Sequence, residues 1–204
     1  MSTSWNQAVL DAQEGAGILE SLAFEGEVLE DRDLSDLTFR SVSFHACTFL
    51  RCRFESTAFY DCTFRRCLFA SCRLPVSFWS RCRLTDCKAD GADLRRSRFR
   101  DCALEGVLLR CANCSDSVWE RDILEHVALS EAVLSGCKLR KLELRSVDLT
   151  AAELFRTPCK DLDLTGCTLD RIVLSENCAE LRGARIGPGQ AAVVARILGI
   201  LVEP

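Results

Sequence analysis

Large apolar residues recur every five positions along most of this chain, and that period constrains the fold more than any other feature. Between positions 19 and 184 the numbers ending in 4 or 9 define 34 sites, and Leu, Phe or Trp fills 29 of them. Those three types make up 43 of the 204 residues, so chance would fill about seven. The exceptions are Ala89, Cys114, Cys159, Ala179 and Ala184. The phase never slips along the sequence, so no register-shifting loop is expected.

A second inward track lies two residues earlier, at numbers ending in 2 or 7, and its side chains are small. Cys47, Cys52, Thr57, Cys62, Cys67, Cys72 and Ser77 are typical, and ten of the fourteen cysteines stand on this track. The other three positions of each pentad carry most of the charge. A helix turning every 3.6 residues would smear a period of five around its surface. A flat strand, alternating every two, would put successive large residues on opposite faces. The pattern therefore requires a chain that turns a corner every pentad and stacks its coils into a solenoid with a shared interior.

The sequence resembles the pentapeptide repeat family, whose consensus is A(D/N)Lxx. Ala92-Asp93-Leu94 matches it directly, as do Val147-Asp148-Leu149 and Leu162-Asp163-Leu164, while Cys-Thr-Phe at 47–49 and 62–64 is a common variant. The resemblance covers residues 19 to about 185. It implies an all-β solenoid, a right-handed quadrilateral parallel β-helix with four pentads per coil. Residues twenty apart should then stack, and the columns agree. One reads Phe44, Phe64, Leu84, Leu104, Leu124, Leu144, Leu164. Another reads Thr57, Ser77, Ser97, Ser117, Cys137, Thr157, whose polar atoms could bond between rungs or to backbone. On the outside, Ser41, Asp61, Arg81, Asp101, Arg121, Lys141 and Asp161 largely alternate in charge, as a salt-laced wall would.

Cysteines one rung apart would have parallel Cβ vectors at the strand spacing of ~4.8 Å, wider than the ~3.8 Å of a disulfide. They read as reduced thiols serving as small hydrophobes. The lone CxxC, Cys111 to Cys114, points one sulfur out and one in by phase, and nothing completes a zinc site. No metal and no cofactor is expected. His45 and His126 share no column, and no nucleophile motif or phosphate loop occurs, so the chain is not read as an enzyme. Asp122 is anomalous, because its phase places a carboxylate in the inward column of Cys62, Cys82, Cys102, Leu142 and Leu162. Either the wall distorts near 118–123 or the carboxylate finds hydrogen-bond partners.

With 30 acidic and 26 basic side chains the net charge is −4, so bulk attraction to nucleic acid or anionic lipid is not the default. No apolar run is long enough to span a membrane, and residues 1–17 do not read as a secretory signal, so a cytoplasmic protein is expected. Three regions follow. Residues 1–18 form an N-terminal cap that could be a short helix, with Ser4 and Gln7 as a capping box and Trp5, Val9 and Leu10 covering the first coil. Residues 19–186 form the β-helix, of about eight coils by the twenty-residue stack. Residues 187–204 form a helix and tail, with Pro188 at its first turn and Gly199 at its stop. That helix is apolar nearly all round, so one face should cap the last coil and another a second subunit.

The stretch from Gln190 to Ile200 also resembles the C-terminal segment of the Qnr and MfpA type of pentapeptide protein, in which it forms the dimer contact. The resemblance implies a homodimer through Ala191, Val194, Ile197, Leu198 and Leu201. It further implies a non-enzymatic DNA mimic that binds a type II DNA topoisomerase, gyrase or topoisomerase IV, and protects it from a poison, as antibiotic resistance or self-immunity. Charge argues against wholesale mimicry, since residues 40–110 hold 14 basic against 7 acidic side chains. Asp161, Asp163, Asp170 and Glu176 are the candidate partner-facing acidic patch. Mechanisms that depend on register-breaking loops do not carry over to a chain without them. The alternatives are a scaffold for another protein and, through the basic band, direct nucleic-acid binding with steep salt dependence, which is not the expected role.

Overall fold

Corners set this architecture. In the computed structural model, which describes residues 5–203, the residues whose numbers end in 1 or 6 adopt left-handed backbone at almost every repeat from Ser21 to Arg171. Their φ values are 55° at Asp61, 53° at Arg81 and 59° at Arg121. Each such residue ends a short extended segment and turns the chain about a quarter circle, so four pentads close one coil.

Successive coils pair in parallel with a register of twenty, as in Ile18↔Thr38, Phe78↔Arg98 and Ile123↔Glu143. The first wall is a seven-stranded sheet running from Ile18–Glu20 to Lys138–Arg140. The second, also seven-stranded, runs from Ala23–Glu25 to Glu143–Arg145. A third wall starts as three strands, Val28–Glu30, Thr48–Leu50 and Leu68–Ala70, and continues as single bridges through Lys88 to Thr168. The fourth is bridges alone, from Asp33 to Val173. Its corners are tightened by a backbone bond inside the turn, as where the Thr57 amide donates to the Phe54 carbonyl. That turn leaves one residue per coil free to bridge. The chain is thus a four-walled parallel β-helix.

Both inward tracks are buried. The large track forms ladders of rings: Phe39, Phe59, Trp79, Phe99 and Trp119 stack with centroids 5.1, 4.1, 5.7 and 4.0 Å apart. Each such pair contributes about 0.5–1.5 kcal/mol beyond the area it buries. The two indole N–H groups inside donate to serines two residues back, Trp79 to Ser77 at 2.8 Å and Trp119 to Ser117 at 2.9 Å.

The small track does more than fill space. The thiols of Cys52, Cys62, Cys67, Cys72, Cys82 and Cys87 each donate to the carbonyl of the residue 23 positions earlier, at 3.3–3.5 Å. Thr57 and Ser97 make the same bond with hydroxyls, to Leu34 and Leu74, at 2.8 Å. The reading of these cysteines as small hydrophobes is therefore incomplete: they tie each coil to a wall of the coil before. All fourteen are free thiols, and only Cys111 is exposed. Burial pushes Cys167 up to about 11 and Cys159 up to about 12, which keeps them protonated and unreactive.

Asp122 resolves in favour of hydrogen bonding. Its carboxylate accepts from the Cys102 amide at 2.7 Å and the Glu120 amide at 2.8 Å. The strands on either side, Val118–Glu120 and Ile123–Glu125, hold their register, so the alternative of a distorted wall is not realised.

Two other departures lie near the C-terminal end. Both long sheets stop at residues 138–145: on the first wall Pro158 has no N–H to offer the Cys137 carbonyl, and on the second Asp163 is bridged only forward, to Arg185 on the coil after it. The third and fourth walls stay bridged there, through Asp148↔Thr168 and Glu153↔Val173. The coils therefore splay on one side, leaving Leu139 and Leu144 only partly buried, with Leu144 lining a cleft of about 530 Å³. The phase also breaks, contrary to the unbroken sequence pattern. After Leu174 the chain takes extra residues: the Leu149 amide bonds 19 positions ahead to Thr168, but the Asp161 amide bonds 22 ahead to Gly183. Glu180 plugs that irregular turn, its buried carboxylate accepting from the Ser175 hydroxyl at 2.7 Å and from the Arg156 amide.

Helices close the ends. Helix α1, Trp5–Glu14, buries Trp5, Ala8, Val9 and Ala12, with the Trp5 ring edge-on to Phe24 at 4.7 Å. Leu10, expected to join this cover, is half exposed instead, and the Ser4 of the expected capping box lies outside the described residues. Helix α2, Pro188–Ile197, begins with Pro188 in its first turn. It ends in a Schellman arrangement, with Gly199 at φ 76° and the Ile200 amide bonded to the Ala195 carbonyl.

Candidate functional site

Outward positions decide what such a rod can touch. At the corner between the first and second walls, Arg81 grips Asp61 through two bonds of 2.6 and 2.7 Å, and Arg121 grips Asp101 at 2.6 and 2.9 Å. Asp90 and Arg110 repeat the motif on the third wall. The guanidinium hydrogen bonds hold Asp61, Asp90 and Asp101 below the usual carboxylate range. These ladders are exposed, so each pair stabilises little and weakens further in salt.

Other cations of the basic segment have no ion pair among the described residues. Arg40 and Arg98 lie on the first wall, with Arg96 at its leading corner. Arg65 and Arg83 lie on the second wall, with Arg66 at its end, while Lys88 is on the third and Arg73 on the fourth. They form a belt around the rod. Only on the first wall do they surround aromatic side chains. Tyr60 and Phe78 meet there with centroids 5.4 Å apart, and the Arg40 guanidinium sits 5.8 Å over the Tyr60 ring.

The four acidic residues singled out from the sequence do not share one face. Asp161 is at the corner between the first and second walls, and Asp163 on the second, bonded to Arg185 at 3.2 Å and to the Thr165 hydroxyl at 2.6 Å. Asp170 ends the third wall and Glu176 follows the fourth. Only Asp161 and Asp163 come together, on the lip of the cleft beside Leu142 and Leu144.

Of the expected dimer residues, Ala191, Leu198 and Leu201 are exposed, with Leu201 at 94 %. Val194 and Ile197 are half-buried against the chain's own last coil. Ile200 and Val202 extend the exposed apolar surface. Gln190, whose role the sequence reading did not see, fastens α2 in place. Its Oε1 accepts from the Gly187 amide, and its Nε2 donates to the Leu164 and Cys167 carbonyls, all at 2.6 Å. Among the described residues no cluster of His, Cys, Asp or Glu could hold a metal ion, and no helix is long and apolar enough to cross a membrane.

Comparisons with known proteins agree with this geometry. The family model for pentapeptide repeats matches in eight copies, over residues 62–101 and 124–154. No curated protein matches the sequence. Among solved structures, a trypsin-treated form of QnrB1, a plasmid-mediated fluoroquinolone resistance protein, shares the fold with a TM-score of 0.59 at 22 % identity, over 92 % of this chain and 99 % of its own. HetL, a pentapeptide repeat protein involved in heterocyst differentiation regulation in the cyanobacterium Nostoc sp. strain PCC 7120, aligns at 14 % identity with a TM-score of 0.37, over 92 % and 98 % of the two chains.

Proposed function

Because the chain is a pentapeptide repeat protein, we propose that it works without catalysis, as a rod that binds a type II DNA topoisomerase, gyrase, and protects it from a topoisomerase poison. The observation that carries this reading is the pairing of a four-walled rod with an exposed apolar end. Leu198, Ile200, Leu201 and Val202 flank a helix whose other side seals the last coil. A two-fold contact there would join two rods end to end. The structural likeness to QnrB1, a resistance protein, supports the same fold over nearly the whole of both chains.

Magnitudes shape the mechanism. About eight coils at ~4.8 Å make a rod of roughly 40 Å, and a dimer of roughly 80 Å. Duplex DNA of that length carries about 47 phosphate charges. Two chains at −4 each supply −8, and the acidic residues are spread over several walls. The rod therefore imitates DNA by shape and two-fold symmetry, not by charge.

The test is gyrase supercoiling and cleavage-complex formation in the presence of a gyrase poison, titrating in the purified protein. Restored supercoiling with fewer cleaved complexes is expected. No effect at micromolar protein on gyrase or topoisomerase IV would sink the reading and leave a scaffold with another partner. Sedimentation should read a dimer that the double substitution Leu198→Asp with Leu201→Asp converts to a monomer.

A further inference from the structure

The first wall carries the one aromatic surface of the basic belt, and nothing in the end-to-end contact or the fold requires it. Its outward positions from 38 to 100 are Thr38, Arg40, Ala58, Tyr60, Phe78, Ser80, Arg98 and Arg100, with no carboxylate among them; register sets Glu20 beside Arg40 and Glu120 beside Arg100 at the two ends of this face. Register puts Arg98 directly beside Phe78 and Arg100 beside Ser80. Val76, 42 % exposed, precedes Phe78 at the corner, and Arg96 stands one coil further on. The nearby corner carboxylates are taken: Asp61 by Arg81, and Asp101 by Arg121 in two bonds. Arg100 reaches only the latter, at 3.5 Å, and Arg40, Arg96 and Arg98 have no carboxylate partner among the described residues.

We infer that this face, with Tyr60, Phe78 and Val76 at its centre and Arg40, Arg96 and Arg98 around them, is the docking surface for an acidic protein surface with an apolar middle. The inference rests on the topoisomerase reading above for the identity of the partner. Tyr, Phe and Arg are the residue types that anchor protein interfaces, with apolar contact at the centre and charge at the rim. The unpaired guanidinium groups supply the complementarity, because each has a hydrogen-bonding fork free for a partner carboxylate. A nucleic acid fits less well. Base stacking needs an open ring face, but Arg40 lies over Tyr60, and Phe78 packs against the same ring. On the second wall the unpaired Arg65 and Arg83 stand among threonines, with no apolar centre to anchor a partner.

The experiment measures binding of purified gyrase to the full-length protein and to charge-reversed variants on different walls. Arg98→Glu and Phe78→Ser should each weaken binding about tenfold or more. Arg83→Glu on the second wall and Arg73→Glu on the fourth carry the same charge change and should stay within about threefold of the parent. Unchanged melting of Arg98→Glu, an exposed site, shows that the loss is not unfolding. The inference is overturned if the first-wall variants bind like the parent, or if the control walls lose as much, which would make the belt a diffuse electrostatic attraction. It is also overturned if these substitutions instead abolish binding to a labelled 20-nucleotide single strand. Failure of the parent protein to bind gyrase overturns the topoisomerase reading, and this assignment with it.

Discussion

The coils between Phe39 and Trp119 and those beyond residue 137 obey one period but are held together differently. In the first region, rings stack from coil to coil and thiols or hydroxyls bond each coil to the last. In the second, Leu139 follows Trp119 in the ring column and Val147 stands where Cys47, Cys67 and Cys87 stood, although Thr157 still donates its hydroxyl to the Leu134 carbonyl. Two walls then part, the first at Pro158 and the second at Asp163. The lesson is that a five-residue period dictates the path of the chain, whereas the strength of the joint between coils is a separate variable, written in which inward residues can also hydrogen-bond.

Four measurements would break or sharpen that contrast. The largest effect should come from the ring ladder. Trp119→Ala is expected to cost about 3–5 kcal/mol in urea unfolding, and Leu144→Ala on the open side under about 2, since it is already partly solvated. Equal costs would show that the splayed coils are as tightly joined as the rest.

Asp122 comes next, because it is the buried charge at the boundary of the two regions. Its folded pKa, pushed up to about 7 by burial, exceeds the unfolded value of 3.8. Folding therefore favours the protonated acid. The contribution is complete below pH about 4 and is lost as pH rises through 7, a swing of up to roughly 4 kcal/mol by pH 8. Asp122→Cys, the residue found at 62, 82 and 102 in the same column, should be more stable than the parent at pH 8. Its unfolding midpoint should lose most of the slope between pH 5 and 8, and a slope that persists in the variant would assign it elsewhere.

Smaller effects test the thiol ties. Cys67→Ala removes the bond to the Phe44 carbonyl and should cost about 1–2 kcal/mol, while Cys67→Ser keeps a donor and should stay within about 1. Equal losses for the two variants would mean that the thiol acts through volume alone. The least effect belongs to the surface ladders: Arg81→Ala should cost less than any of these in low salt and almost nothing at 1 M.

Much of this was legible in the sequence. The two inward tracks, the stacking at twenty and the Pro188 and Gly199 bounds of α2 all follow from residue types at fixed offsets. Even the dispersal of Asp161, Asp163, Asp170 and Glu176 was implicit, since their places within the twenty-residue coil assign them to different walls. Other features required knowing which coil pairs with which. Pro158 sits at an outward position where any residue satisfies the period, and its missing donor matters only opposite the Cys137 carbonyl. The break after Leu174 left a faint trace, alanine at 179 and 184 where leucine or phenylalanine is the rule. Gln190 gave none, because its partners are backbone carbonyls more than twenty residues away.

The left-handed corners also govern how this surface can change over evolutionary time. Most of the ion-paired aspartates and arginines of the ladders, and several unpaired arginines, stand at residues with positive φ. A β-branched side chain is penalised in that backbone more than Asp, Asn, Ser or Gly, and Val76 is the single described exception among the corner positions. Mutation there samples a restricted alphabet of small and polar residues. The rod's edges can therefore exchange one charge pattern for another with little damage to the coil, yet seldom drift toward the sticky aliphatic surface that would make such long stacked sheets coalesce.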